Sequence, residues 1–522
     1  MKKRYLAVLM AATMAFSITA CGTASTDSGK EDGAQNVSEK AEDSKEGGEQ
    51  TSAEESKEGK EDTADKKEEV KGPCLDITNN FYDAGENADY IFGWYPTIEV
   101  VGDNYPELKN ALDSWSADYK SGYESTLEQY TLDAVQQAED MGDDFYGYSF
   151  NYSAETARLD NRIASISIVE DSYAGGAHGY SYLYGVTFDT QTGKEITFED
   201  LGDIRDEVKA YIDDYVAGKR KEGCPFSFYE DNIEEIMENP VWYLDGLGLN
   251  IVFNAYDIGS YAEGRTVVRI PYTELEHFND DYKPEKETMF AKLWLSEPVD
   301  IDVDADGTVD KVELSGEYDD NGDLEICLKV NDISLDFGIC AYLTGSYYVR
   351  TEDGRSFVLI SCDRMSDDYF TQLVEVTSGT PEKLDEIDGK IASMSNHAFI
   401  VNTHVDALGT YSSKRTYTFS EGKLQPVEER FTFASREADP YLNGIVLKKE
   451  LTVSIDEDGT MIEKELKAGT TLYPVNSDGE TVVGFELEDG TYGEITFERQ
   501  DYTIYIDGVS EYDLFELLPY AG

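Results

Sequence analysis

The sequence predicts an α+β module followed by an all-β half. Three observations carry that reading. Apolar residues recur every three or four positions between Asn104 and about Glu139, the rhythm of an amphipathic helix. From Ala164 the period changes to two, which is the rhythm of a strand. Beyond residue 283 only short alternating runs remain, separated by Gly, Asp and Asn, and this is the pattern of an all-β domain.

The helix stripe is Leu108, Leu112, Trp115, Tyr119, Tyr123, Leu127 and Tyr130. Asn104 with Glu107 resembles a capping box, and Pro106 is tolerated in a first turn. Before it, Tyr95–Val101 reads as a short strand. After it, Ala164, Ile166 and Ile168 line one face of a strand, and Tyr182, Tyr184, Val186 and Phe188 line one face of the next. Asp189–Gly193 turns the chain into Glu195–Phe198, giving a hairpin. Leu201, Ile204, Val208, Ile212 and Tyr215 mark a second helix, and Gly248–Phe253 and Thr266–Ile270 read as closing strands.

The chain opens with Lys2, Lys3 and Arg4, followed by an apolar run from Leu6 to about Phe16 that is too short to cross a bilayer. Ser17–Cys21 then reads as a bacterial lipobox, with Cys21 as the lipidation site of an exported protein. Residues 22–72 hold Ser, Gly, Glu, Asp and Lys with almost no large apolar side chains. Such a segment is expected to be disordered, a spacer on the order of 40 Å. The expected divisions are 1–21 signal peptide, 22–72 acidic linker, 73–160 and 161–282 as two α+β halves of one module, 283–438 a β-rich domain, and 439–522 a small β-barrel-like domain. Anchoring would rest on the lipid, on the extracellular face of the cytoplasmic membrane.

The chain has 43 basic and 108 acidic residues, a net charge of −65. Only 16 of the acidic and 8 of the basic residues fall in 22–72, so the acidity belongs to the part expected to fold. That excludes nucleic acid as a partner, whose binding needs Lys and Arg, and favours cationic partners. Beyond Cys21 there are five cysteines: Cys74, Cys224, Cys327, Cys340 and Cys362. None forms a C-x-x-C pair, and their number is odd. A bond between Cys74 and Cys224, or between two of the other three, is left open.

One of only four histidines sits in Tyr173–Tyr180, YAGGAHGY. Gly175, Gly176 and Gly179 suit a tight connection between strands. The other histidines, His277, His397 and His404, lie far away in sequence, so His178 is read as a turn residue rather than a base or a ligand. The acidic stretch Asp302–Glu313 is a stronger signal. Asp302, Asp304, Asp306, Thr308, Asp310 and Glu313 meet the spacing of a calcium loop, with Gly307 at its turn. Ca²⁺ in a structural role is the expected cofactor, on a loop whose flanks read as strands, in the manner of FG-GAP-type repeats.

The strands expected beyond it are Val312–Leu314, Leu324–Val330, Tyr347–Arg350, Ser356–Ser361, Phe370–Val376, Ala398–Asn402 and Tyr411–Phe419, in a sandwich or propeller-like blades. The rhythm of Leu466–Pro474, Thr481–Leu487 and Tyr492–Phe497 resembles a small bacterial Src-homology-like barrel.

Two segments together, YAGGAHGYSYLYGVTFDTQTGKEITFEDL from Tyr173 and GLNIVFNAYDIGSYAEGRTVVRIPYTEL from Gly248, resemble the paired extracellular module shared by RsiV, a lysozyme-sensing anti-sigma factor, and PdaC, a peptidoglycan deacetylase, of Gram-positive bacteria. The resemblance covers about residues 75–280. It implies an envelope-facing module, which in RsiV binds lysozyme. The Asp and His motifs of a polysaccharide deacetylase are not found, so that reaction is not carried over.

No G-x-S-x-G elbow, H-E-x-x-H, Walker loop or dinucleotide fingerprint is found either. The expectation is therefore a non-catalytic surface lipoprotein that binds a cationic wall-active protein such as lysozyme, or peptidoglycan. The alternatives are an envelope scaffold without a soluble ligand and a cell-wall glycan hydrolase using an unidentified carboxylate pair.

Overall fold

A computed structural model describes residues 72–142, 145–284, 288–319, 322–420, 422–434 and 444–521. The signal peptide, Cys21 and nearly all of the linker lie outside the described residues. The first sheet has five strands in chain order: β1 (Leu75–Phe81), β2 (Ile91–Val100), β3 (Tyr148–Leu159), β4 (Ile163–Tyr173) and β5 (Tyr180–Asp189). β2 and β3 are parallel; the other neighbours are antiparallel. A parallel step needs a long crossover, and helix α1 (Pro106–Met141) supplies it.

The apolar stripe of α1 lies on the sheet. Leu108, Leu112, Tyr123 and Leu127 are buried, and the Tyr123 ring packs against Tyr82, Tyr95 and Tyr152 at 5.0–6.0 Å. The helix does not begin with a capping box. Tyr105 is its N-cap, without a side-chain cap bond, and Pro106 occupies the first turn. Proline has no N–H to be capped and already holds a helical φ, while the Tyr105 hydroxyl donates to Asn161 Oδ1 at 2.6 Å.

The hairpin of β3 and β4 crosses position 160, where the sequence suggests a division into halves; the register runs from Ser149 opposite Tyr173 to Leu159 opposite Ala164. After β5 the expected hairpin shrinks to a single bridge, Phe188 with Glu195. The chain then forms α2 (Arg205–Lys221), α3 (Tyr229–Glu238) and a three-stranded sheet of β6 (Val241–Leu244), β7 (Gly248–Phe253) and β8 (Thr266–Pro271). Val208, Ile212, Val216, Ile233 and Met237 from the helices share a core with Leu249, Ile251, Phe253, Val268 and Ile270. Asn254 ties this unit to β5, accepting from Leu183 N–H at 2.8 Å and donating to Leu183 O at 3.0 Å.

The second half is β throughout. A four-stranded sheet contains β10 (Val299–Ile301), β11 (Asp310–Tyr318), β12 (Leu324–Val330) and β13 (Ile333–Cys340). A five-stranded sheet runs β17-β16-β15-β14-β9, with β9 Met289–Lys292, β14 Tyr342–Arg350, β15 Ser356–Asp363, β16 Tyr369–Glu375 and β17 Glu382–Asp388. These two sheets pack over one core of Val312, Ile326, Leu328, Tyr348, Val358, Ile360 and Val374, as in a sandwich. The other face of β14 and β15 joins the first sheet: Val349, Phe357 and Leu359 pack in one cluster with Leu75, Ile98 and Ile166.

An eleven-stranded sheet follows, from Lys390–Met394 through Tyr492–Thr496 to the hairpin Leu451–Glu457 and Thr460–Leu466. It corrects the expected barrel at 439–522. Strand Thr471–Ser477 pairs with Phe431–Phe433 on one side and Val482–Glu486 on the other, so the sheet continues across position 439, and the described residues hold no closed barrel. No helix among them is long and apolar enough to cross a membrane.

Candidate functional site

The connection between β4 and β5 carries the histidine singled out in the sequence. Gly175 and Gly176 take φ of +83° and +89°, a region closed to most side chains. The turn they form lays the His178 ring flat on Tyr261, centroids 5.0 Å apart and planes 13° apart. Tyr261 in turn meets Tyr256 at 5.7 Å, and Tyr256, at φ +75°, is 44% exposed. His178 Nδ1 is buried without a hydrogen-bond partner among the described residues, and desolvation lowers its pKa. Desolvation thus disfavours the charged imidazole, and the ring offers a flat stacking surface.

Two acids lie near the neighbouring tyrosines of β5, Tyr180 and Tyr182. Asp257 accepts from Asn254 N–H at 2.7 Å, and burial pushes its carboxyl up to about 6. Glu170 on β4 faces Tyr182 across the ladder and accepts from the hydroxyls of Tyr119 at 3.0 Å and Tyr184 at 3.1 Å. Burial raises its carboxyl, and the two hydroxyls pull it back. Along β5, Tyr180, Tyr182 and Tyr184 form a row with centroids 6.1 and 5.9 Å apart, as period-two spacing requires. Aromatic faces backed by carboxylates can stack on sugar rings or receive a cationic side chain.

The acidic loop lies elsewhere, between β10 and β11. Ala305 and Gly307 adopt positive φ, and carboxylate oxygens of Asp302, Asp304 and Asp310 come within 4.8 Å of one another. Backbone groups hold them: Asp306 N–H donates to Asp302 and Asp304 at 3.1 Å, and Gly307 N–H to Asp302 at 2.9 Å. The Asp306 carboxylate accepts from Thr308 N–H at 2.6 Å. Glu313 does not join the trio; it sits on β11 opposite Lys329, 3.9 Å from Lys311 Nζ. The physical reason is the strand, since three extended residues carry it about 10 Å past Asp310, whereas a helix would fold it back.

Sequence reading missed a third cluster. His277 Nδ1 lies 2.5 Å from Glu207 Oε1, and Glu276 completes a group within 4.8 Å. Glu207 is in the first turn of α2, and the bridge between Gly202 and Phe278 brings the segments together. Seventy positions separate the partners, so no local spacing could reveal them. The Glu207 hydrogen bond and charge raise the His277 pKa.

Residues 201–273 match the family described as "Protein of unknown function (DUF3298)". Similar solved structures include a DUF3298 family member from Bacteroides fragilis NCTC 9343, 18% identical with a TM-score of 0.33, covering 41% of this chain and 96% of that one. A DUF3298 family protein from Pseudomonas aeruginosa PAO1 is 15% identical with a TM-score of 0.28, covering 41% and 97%. TolB from Acinetobacter baumannii is 10% identical with a TM-score of 0.17, covering 81% and 96%. No curated protein matches the chain. The chain thus contains a stretch, residues 201–273, that matches the DUF3298 domain of unknown function.

Proposed function

We propose that this chain is a non-catalytic cell-surface lipoprotein of a Gram-positive bacterium, anchored through Cys21, that binds an envelope ligand through the module at 73–282. The observation that carries the reading is the surface stack of His178, Tyr261 and Tyr256 beside Asp257, on a chain of net charge −65. Exposed aromatic rings are common anchors of interfaces, and an acidic field speeds encounter with a basic partner. A lysozyme-like cationic protein fits both, in keeping with the resemblance to the module of RsiV. Peptidoglycan, whose sugar rings would stack on the same aromatic faces, is the second ligand class.

The test is calorimetric titration of residues 72–522 with lysozyme at low and physiological salt, with cytochrome c as an equally basic control. Saturable binding of lysozyme alone, surviving physiological salt, supports the reading. Equal binding of both that vanishes with salt reduces the acidity to a solubility feature. Retention on purified sacculi at high salt, without lysozyme binding, assigns the module to peptidoglycan instead. The acidic loop enters the same proposal in a supporting role: Asp302, Asp304 and Asp310 would hold a structural Ca²⁺ ion, whose charge would relieve the repulsion of three gathered carboxylates.

A further inference from the structure

Sequence alone leaves the pairing of the cysteines open, and the fold narrows it to one pair. Cys340 ends β13, the last strand of the four-stranded sheet; Cys362 lies on β15, the middle strand of the five-stranded sheet. Only Ala341 separates β13 from β14, so the chain passes from one sheet to the other at this corner. Ala341 N–H donates to Asp363 O at 2.8 Å, and the register places Leu343 opposite Cys362. The corner is thereby fixed beside β15.

Both side chains are nearly sealed, 4% exposed at Cys340 and 1% at Cys362. They belong to the core that the two sheets share, and each thiol shifts the ionisation of the other. The other cysteines lie apart from this corner. Cys74 precedes β1, Cys224 follows α2, and Cys327 alternates with the core residues Ile326 and Leu328, on the opposite face of β12.

We propose that Cys340 and Cys362 are a disulfide site that, on oxidation, covalently joins the two sheets of the β-rich domain. The oxidant is a small-molecule disulfide of the glutathione type. Cys340 loses its proton, and its thiolate attacks one sulfur of the oxidant, forming a mixed disulfide and expelling a thiolate. Cys362, deprotonated in turn, attacks Cys340 Sγ and expels the second thiolate. Two electrons pass from the cysteines to the oxidant, which leaves as two thiols carrying the two protons. The bond closes a loop of about 22 residues and removes freedom from the unfolded chain. Such bonds persist in proteins outside the cytosol, the compartment that the proposed function assumes. The pairing rests on the placement of both thiols in one core where the chain passes between the sheets, and does not depend on what the module binds.

The experiment is to refold the full chain in a glutathione redox buffer, denature it without reductant, alkylate with iodoacetamide, and map the peptides by mass spectrometry. Refolding lets buried thiols react. The expected result is one linked species joining the Cys340 and Cys362 peptides, lighter by two hydrogens and released by dithiothreitol. Cys224 and Cys327 are expected to be alkylated. A second measurement compares thermal midpoints before and after oxidation, with a rise expected for the native sequence and none for the double variant Cys340→Ala, Cys362→Ala. Full alkylation of Cys340 and Cys362, or a bond from either to another cysteine, would overturn the proposal, whether or not lysozyme binds.

Discussion

Arg158 Nε donates to Asp160 Oδ2 at 2.7 Å, with both side chains only 1% exposed. The pair sits where β3 turns into β4, and it reaches further: Arg158 Nη1 donates to Tyr282 O at 2.6 Å and to the Tyr272 hydroxyl at 3.1 Å. Asp160 Oδ1 accepts from Arg162 and Ile163 N–H at 2.8 Å each. One buried pair therefore ties the first sheet to the segment after β8. Burial opposes the guanidinium charge, and Asp160 together with Tyr272 more than restores it.

Removing one partner leaves the other charged and buried, the costly case. Asp160→Asn is expected to destabilise the module by about 3–5 kcal/mol, read as a lower urea midpoint. Replacing the pair together, Asp160→Leu with Arg158→Met, is expected to cost less than the single change. A single variant that unfolds at the native midpoint would show that the pair carries no stability.

For the acidic loop the measurement is thermal unfolding with and without Ca²⁺. Binding to the folded state alone stabilises by about 2.7 kcal/mol at one hundred times the dissociation constant. The midpoint is expected to rise with Ca²⁺, to return on chelation, and to be insensitive to Ca²⁺ in Asp302→Asn or Asp304→Asn. Glu313→Gln is expected to keep the Ca²⁺ response, because Glu313 lies along β11 opposite Lys329. A calcium loop that wraps all its sequence-spaced oxygens would lose the response in that variant as well.

The contrast between Glu313 and the aspartates shows what sequence could and could not reveal. Gly248–Phe253, buried along its whole length, was legible as a short apolar run that begins at a glycine, and the period-two run Leu324–Val330 was legible as a strand because burial alternates with local spacing. The stripe from Leu108 to Leu127 was legible as a helix for the same reason. What escaped was set by non-local pairing. Glu313 satisfies the spacing of a loop, yet its strand carries it away. His277 meets Glu207 only because a bridge at Gly202 joins distant segments. The barrel read into 439–522 dissolved because Thr471–Ser477 found a partner before the supposed boundary, at Phe431–Phe433. Helix α3 was missed since it is only ten residues long and its stripe holds just Tyr229, Ile233 and Met237.

Two histidines are shifted in opposite directions, and proton NMR titration separates them. His277, raised by Glu207, contributes stability present below its ordinary pKa of 6.5 and lost as pH rises through the higher folded value. His178, lowered by desolvation, favours the fold above 6.5 and loses that contribution as pH falls through the lower folded value. Glu207→Gln is expected to bring the His277 midpoint back towards 6.5 while leaving His178 unchanged. Coincident midpoints in the native protein would refute both assignments.

Asp257 gives the stack its own pH dependence. Burial raises its carboxyl from 3.8 to about 6, so the folded state binds a proton more readily than the unfolded one. The penalty is full above pH 6 and is relieved as pH falls from there towards 4, so this group makes the fold gain stability on mild acidification. The relief is at most about 3 kcal/mol. Asp257→Asn keeps an oxygen for the Asn254 N–H and is expected to be more stable than the native protein at pH 7.5 and to lose this part of the pH profile. In titrations with a cationic protein, protonation of Asp257 is expected to weaken binding between pH 7 and 5, and the asparagine variant to bind weakly throughout. A variant whose stability profile matches the native one would place the titration on another group.

Gly185 tests how the two sheets of the module are joined. It lies on β5 where β6 passes, and a Cβ there would stand 2.3 Å from Trp242 O and 2.5 Å from Tyr243 Cβ. Neither atom is the free end of a flexible chain, so Gly185→Ala must push the sheets apart, and overpacking of this kind typically costs about 1–3 kcal/mol. Gly122, on α1, is the control: nothing lies within 4 Å of its added Cβ. In a helix interior alanine is better than glycine by about 0.5–1 kcal/mol. Urea unfolding is therefore expected to show a lower midpoint for Gly185→Ala and an equal or higher one for Gly122→Ala. Because Leu183, two residues before Gly185, exchanges both backbone bonds with the Asn254 side chain, spreading β5 from β6 also strains the Asn254 anchor beside Asp257. Gly185→Ala is accordingly expected to weaken ligand binding as well as stability, whereas a loss of stability with unchanged affinity would show that the stack is held independently of this joint.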